Sequence, residues 1–170
     1  AMVAGAILVT PFASKAGWVE WGYCKAAIAT LRVYGITPWV REYLLSRLFS
    51  VKGRGNHSDL SQTFRRDIQS RDSSGLLHML QAVMRREDIL EDVKQLKECN
   101  LLIIAGDQSD FYQDCLEMNL RVNKSRAAYI EVMGSGTVVS EENPERMVSS
   151  IQQFLRGMQY YGIGSSWNVQ

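Results

Sequence analysis

Two carboxylates, Asp107 and Asp110, stand in a turn directly after the apolar run 101–105, and a second turn at 134–140 offers the hydroxyls of Thr137 and Ser140. An apolar run that stops at a glycine and an acidic turn suits a strand buried on both faces. In sheets of that kind, ligands and reacting groups collect at the carboxyl ends of the strands. An acid on one such turn and a histidine on the next would orient and carry a proton in acyl transfer. The second turn has no histidine, and neither Thr137 nor Ser140 takes up a proton near neutral pH as imidazole does. The two histidines lie elsewhere: His57 in a glycine-rich stretch, read as solvated, and His78 inside a helical stretch, read as a helix-surface or core residue. Neither stands with Cys or Asp at metal-ligand spacing, so no metal site is expected.

The other reactive residue types also lack their partners. A nucleophile elbow needs Gly-x-Ser-x-Gly between a strand and a helix, and the chain has no such pentapeptide. Gly53-Arg54-Gly55 does not open a helix after a strand, so no dinucleotide or phosphate loop, and no cofactor, is expected. Cys24, Cys99 and Cys115 are odd in number and far apart, and read as reduced, buried or half-buried thiols of a cytoplasmic protein. The pairs Arg65-Arg66 and Arg85-Arg86 could make a basic face, but Asp59, Asp67, Asp72, Glu87 and Asp88 interleave with them, which reads as a solvated mixed-charge surface. The aromatic residues Trp18, Trp21, Tyr23, Tyr34 and Trp39 read as the packing of the first helices; any exposed part of them is an interaction patch.

The elements that position these residues are legible from periodicity. Residues 4–11 form a strand ending in a proline turn, 101–105 a second strand and 127–133 a third. Between the first two, from 18 to about 96, helical spacing takes over in five segments. Pro38 suits the first turn of the second, with Thr37 as its N-cap. Ser58 or Asp59 opens the third, Ser73 or Ser74 the fourth, and 89–96 forms a short fifth. A helix over 111–120 follows the second strand, and another from Asn143 to Leu155 follows the third. The expected fold is α/β: three parallel strands with a long helical insertion, core segments at 1–17 and 97–157, an insertion at 18–96, and a mobile tail at 158–170.

Composition bounds the function. The 170 residues are 46% hydrophobic and 22% charged, with a formal net charge of +1. That is one ordinary globular domain, with no charge block calling for nucleic acid or an anionic membrane. The apolar stretch 2–12 is broken by Gly5 and Pro11, is too short to span a bilayer, and lacks a leader's charged start and cleavage site. No transmembrane segment is expected.

Several pieces, in order, carry a resemblance: Ala6-Ile7-Leu8-Val9-Thr10-Pro11, Trp18-Val19-Glu20-Trp21, Tyr34-Gly35, Leu48-Phe49-Ser50, Arg65-Arg66 with Arg71-Asp72-Ser73-Ser74, and Leu80-Gln81-Ala82 with Arg85-Arg86-Glu87-Asp88. They continue with Leu102-Ile103-Ile104-Ala105-Gly106-Asp107-Gln108-Ser109, Glu141-Glu142-Asn143-Pro144 and Phe154-Leu155-Arg156-Gly157. Together they resemble the N-myc downstream-regulated (NDR) family, whose members have an α/β-hydrolase fold without hydrolase activity. The resemblance implies that the chain is the cap and the carboxyl-terminal part of such a sheet, leaving unpaired edges on the first and central strands. It places the acid position of active hydrolases at Ser109, with Asp110 one residue late, and the histidine position at Thr137.

The function it implies is an adaptor or scaffold in signalling, stress response or trafficking, working through protein partners. Those include heterotrimeric G-protein components in plant-type members, and a chain or segment that completes the sheet; an oligomer is another way to complete it. The surface expected to meet partners is Trp18, Trp21, Trp39, Arg65, Arg66, Arg85 and Arg86. Two alternatives stay open: a serine hydrolase or esterase completed by a missing half, and an architectural subunit of a large complex.

Overall fold

The structure, a computed structural model, describes residues 3–55, 59–96 and 98–158. His57, Ser58 and the tail beyond Met158 lie outside the described residues. Three strands, β1 (Gly5–Val9), β2 (Asn100–Gly106) and β3 (Ala127–Val132), form one parallel sheet in the order β1-β2-β3. In register, Ile7 stands beside Leu102, and Ile103 beside Tyr129.

The period of two along β2 splits its apolar run between two layers. Leu101, Ile103 and Ala105 face Cys115, Met118 and Val122, from α6 (Tyr112–Arg121) and its end, and Leu90 and Val93 of α5 (Leu90–Val93). Leu102 and Ile104 face the other way, onto Val139 of the four-residue α7 (Val139–Glu142) and onto Met147, Ile151 and Phe154 of α8 (Pro144–Gly157). Helices on both faces explain why β2 is continuously apolar. The structure corrects one expectation: β2 is paired on both sides, so among the described residues the unpaired edges belong to β1 and β3. The turn 134–140 also differs from its reading as plain loop, because α7 begins within it; four residues are too few to show a helical period.

The long insertion builds a core of its own from α1 (Trp18–Tyr34), α2 (Pro38–Leu48), α3 (Asp59–Ser70) and α4 (Ser73–Met84). Cys24, Ala27 and Leu31 of α1 pack with Val40, Leu44 and Leu45 of α2, Phe49, Ile68 of α3 and Leu80 of α4. Thr37 caps α2 as expected, its Oγ1 accepting from Val40 N at 3.3 Å, with Pro38 in the first turn. The α4 cap is Asp72 rather than Ser73 or Ser74; its carboxylate accepts from Gly75 N at 3.3 Å.

The insertion meets the sheet at two glycines. A Cβ on Gly106 would lie 2.1 Å from the Gly136 carbonyl oxygen, and one on Gly136 would lie 2.5 Å from the Phe49 and Ser50 backbone. Neither neighbour is a flexible side-chain tip, so relief requires the backbone itself to shift. Gly22, inside α1, has nothing within 4 Å of the same position. Replacing Gly136 by alanine is therefore expected to cost about 1–3 kcal/mol of stability in urea unfolding. Gly22→Ala is expected to gain about 0.5–1 kcal/mol. Equal effects at the two sites would refute the close-approach account.

Candidate functional site

The carboxyl ends of β1, β2 and β3 meet the end of α2. Ser109, buried in the turn after β2, and Thr137, in the turn after β3, are joined by their hydroxyls at 2.8 Å. The Thr137 hydroxyl donates to the Arg47 carbonyl at 2.7 Å, so the shared proton comes from Ser109. Ser109 Oγ in turn accepts from Phe111 N at 3.1 Å. One directed chain results, from Phe111 N–H through Ser109 and Thr137 to the backbone of Arg47. Thr137 N and Val138 N add bonds to the Leu48 carbonyl at 2.8 and 3.0 Å. Both hydroxyl protons are committed, and neither group titrates near neutral pH.

Asp107 and Asp110 part company. The Asp107 carboxylate accepts from Gly134 N at 2.6 Å and Ser135 N at 3.3 Å, which fixes the turn after β3. Asp110 is exposed and binds Arg47 at 3.1 Å. His78 lies exposed on α4 and lines neither of the two cavities described below. The three cysteines are free thiols. Burial pushes the Cys115 thiol up to about 12, so it stays protonated and donates to the Pro11 carbonyl at 3.2 Å. Among the described residues, no group of three or more His, Cys, Asp or Glu side chains could hold a metal ion.

Above this edge sits an ionic cluster. Glu20 of α1 accepts from Arg86 at 2.6 Å and also from Arg47. Arg86 further donates to the Ser14 carbonyl at 2.8 Å. Phe12 and Phe111 stack at 4.6 Å; Arg47 lies 4.3 Å over the Phe111 ring and Arg86 4.9 Å over Phe12. Burial works to raise the pKa of Glu20, but the Arg86 hydrogen bond and the charges of Arg47 and Arg86 outweigh it, so the net shift is downward. Asp114, which accepts from the Ser14 hydroxyl, is shifted upward, because burial outweighs the attraction of Arg86.

Thr10, at the end of β1, is buried at φ +44°, an unfavourable backbone for a β-branched residue. Its N–H donates to the Ile104 carbonyl at 2.7 Å, while its Oγ1 has no hydrogen-bond partner among the described residues.

Two hollows flank the cluster. An open cleft of about 790 Å3 is lined by Glu20, Trp39, Arg47, Asp110 and Asp114, among others. A second, apolar cavity of about 460 Å3 lies between the four insertion helices and the sheet edge. Tyr43 and Arg47 line both.

The residues expected at a surface divide. Trp18 is 89% exposed, Trp21 and Trp39 are also exposed, and Arg66 and Arg85 point outward. The aromatic group is thus not wholly packing: Tyr23 and Trp39 stack on Tyr43, at 6.1 and 5.9 Å, while Trp18 and Trp21 meet each other edge-on at 6.2 Å on the exposed side. Arg86 departs from the expected surface. Its side chain is only 10% exposed because Glu20 draws it inward. Arg65 is likewise engaged, by Glu42 at 2.9 Å.

Three functional residues went unread in the sequence. Glu20, Cys24, Ala27 and Leu31 share one helical stripe, as do Val40, Leu44 and Arg47; a charge on a core stripe signals a buried pair. Glu142 gave no such signal. Its carboxylate gathers Ser50 Oγ at 2.6 Å, Ser50 N at 3.1 Å and Gly136 N at 2.5 Å, clamping the turn after α2 to the turn after β3.

A helical insertion over the carboxyl edge of a parallel sheet is the layout of the α/β-hydrolase fold. The chain matches a thermophilic esterase from Thermogutta terrifontis with TM-score 0.75 and 20% identity, over 91% of this chain and 56% of that one. It belongs to the Ndr family, whose sequence model matches residues 1–162. Protein NDL1 of Arabidopsis thaliana is 39% identical over 165 residues, covering 95% of this chain and 46% of that protein. Pollen-specific protein SF21 of Helianthus annuus is 34% identical over 163 residues, covering 94% of this chain and 46% of that protein. The chain thus spans about half the length of the curated relatives it matches.

Two measurements probe the site. Thr137→Val leaves the Arg47 carbonyl and the Ser109 hydroxyl short of a partner and is expected to cost about 1–3 kcal/mol in urea unfolding. Thr137→Ser, which keeps the hydroxyl, should recover most of that. For Glu20, a folded-state pKa below the ordinary 4.5 means its contribution is complete above that value and lost as pH falls through the folded pKa. Glu20→Gln should therefore lower stability at neutral pH by about 2 kcal/mol and shrink the loss on acidification. An acid profile identical to that of the unaltered protein would refute this assignment.

Proposed function

We propose that this chain belongs to a non-catalytic protein of α/β-hydrolase fold that acts by binding other proteins, as an adaptor or scaffold in signalling, stress response or trafficking. The observation that carries the reading is the Ser109–Thr137 hydroxyl bridge, at the two positions where the family resemblance puts the acid and histidine of active hydrolases. An acid–imidazole pair there would hold and release a proton; a pair of hydroxyls ending on a backbone carbonyl does neither. We take Ser109, Asp110 and Thr137 as vestigial positions, and the protein as cytoplasmic.

The partner surface in this reading is the outer side of the insertion 18–96, acting as a unit on the core segments 1–17 and 97–157. The exposed Trp18, Trp21 and Trp39, with Arg66 and Arg85, supply the residue types that dominate protein interfaces. The outer edge of β1 has no strand beside it among the described residues. A further strand, from a longer form of the protein or from another chain, completes the sheet there.

The second reading, an esterase whose serine and histidine come from elsewhere, rests on one observation: Asp110 follows Ser109 directly and presents an exposed carboxylate. Turnover of short acyl esters and labelling by a serine-reactive fluorophosphonate, measured on the full-length protein, separate the two. The scaffold reading expects neither signal above that of heat-denatured protein. Stoichiometric labelling with turnover that Asp110→Asn abolishes would establish the esterase instead.

A further inference from the structure

We propose that the apolar cavity beneath the insertion is a binding site for a neutral, largely apolar small molecule, such as a medium-chain alcohol, ester or lactone. Its volume of about 460 Å3 falls within the range of about 300–1,000 Å3 typical of small-molecule pockets. Phe12 and Phe111 form its wall on the sheet side, while Leu44, Phe64, Ile68 and Leu80 close it from the helices.

The charge of the ligand follows from what borders the space. Among the described residues, three charged ones line it: Arg47, Asp67 and Arg71. Arg47 is bound by Glu20 and by Asp110, and Arg71 holds Asp67 at 2.8 Å. An anionic or cationic ligand would have to be desolvated without a free counter-charge, which is costly in an apolar site. A neutral ligand meets no such cost.

The polar contacts available are few and uncharged. Tyr43 and Cys24 share a hydrogen bond at 3.0 Å inside the cavity wall. Burial, reinforced by the Cys24 contact, raises the Tyr43 phenol, which keeps it a neutral donor and acceptor. Thr137 lines the cavity with both its proton and its Ser109 bond already committed. That leaves hydrogen bonding for one or two ligand oxygens, and among the described lining residues there is no histidine to activate a hydroxyl or thiol for attack on an ester. In this last respect the inference rests on the non-catalytic reading above; the site itself does not.

The test uses the full-length protein and a matched pair of fluorescent probes, neutral phenylnaphthylamine and its sulfonated anionic counterpart. The neutral probe is expected to saturate at one per chain and to bind at least roughly tenfold more tightly than the sulfonate. Decanol should displace it, and decanoate should not. Met79→Trp at the half-exposed mouth and Leu80→Trp in the wall should each weaken binding by at least about tenfold. Met79 is the safer variant for folding, so its thermal unfolding is checked alongside.

Equal affinity for the two probes, no saturable binding, or unchanged binding in a folded Met79→Trp variant would each overturn the proposal. Hydrolysis of a bound neutral ester would sink the non-catalytic reading while leaving the site standing. Failure of the probe to bind sinks the site and leaves that reading intact.

Discussion

Arg47 joins the insertion to the sheet twice. Its guanidinium holds Glu20 of α1 and Asp110 of the turn after β2 and lies over the Phe111 ring, while its backbone carbonyl accepts the Thr137 hydroxyl from the turn after β3. One residue at the end of α2 therefore fixes α1 and both loops of the sheet edge at once. The arrangement holds because the charges are shared: Glu20 accepts from Arg86 on both oxygens and from Arg47 on Oε1. An unpaired guanidinium in that half-buried place would cost more than the contacts return.

The joint also decides what chemistry the edge can do. An active proton relay needs a group free to change its protonation state and its hydrogen bond during turnover. Here several of the polar groups hold loops together. Asp107 fixes the turn after β3, and Glu142 clamps that turn to Ser50. Ser109 donates to Thr137, and Thr137 donates to the Arg47 carbonyl, whose position depends on α2 staying docked. The carboxylates and hydroxyls at the ends of these strands act as mortar, which explains why the sheet edge is polar in sequence although no histidine stands among its described residues.

The fold was legible because its cues are local. The apolar run 101–105 marks a strand covered on both faces, and the three- and four-residue steps between 18 and 96 mark helices, cap and all at Thr37. What escaped the sequence depends on contacts between distant residues. Arg85 and Arg86 are chemically alike neighbours, yet only Arg86 turns inward, because the end of α4 aims it at a glutamate 66 positions away. The aromatic residues of the first helices read as packing, with any exposed part as an interaction patch; Trp18 faces outward, and the α1 stripe toward the core carries Glu20, which spacing alone did not single out. The pairing of β2 on both sides was a matter of strand order, which no local pattern encodes.

The same division of labour accounts for the hollow beneath the insertion. The four helices satisfy most of their apolar surface among themselves, in a core separate from the two that sandwich the sheet. Some of their apolar side chains, among them Leu44, Phe64 and Leu80, face Phe12 and Phe111 of the sheet edge across the cavity. What seats them there is polar and confined to a few points: the Glu20 cluster, the Arg47 carbonyl and the Glu142 clamp. Point contacts of this sort fix a spacing between two bodies without filling the space between the points, whereas an apolar interface would close until side chains interdigitate. The stack of Phe12 on Phe111, roofed by two arginines, covers part of that space and leaves the remainder open. A cap held by ion pairs and hydroxyl bridges thus keeps a cavity that a cap held by hydrophobic packing would have lost.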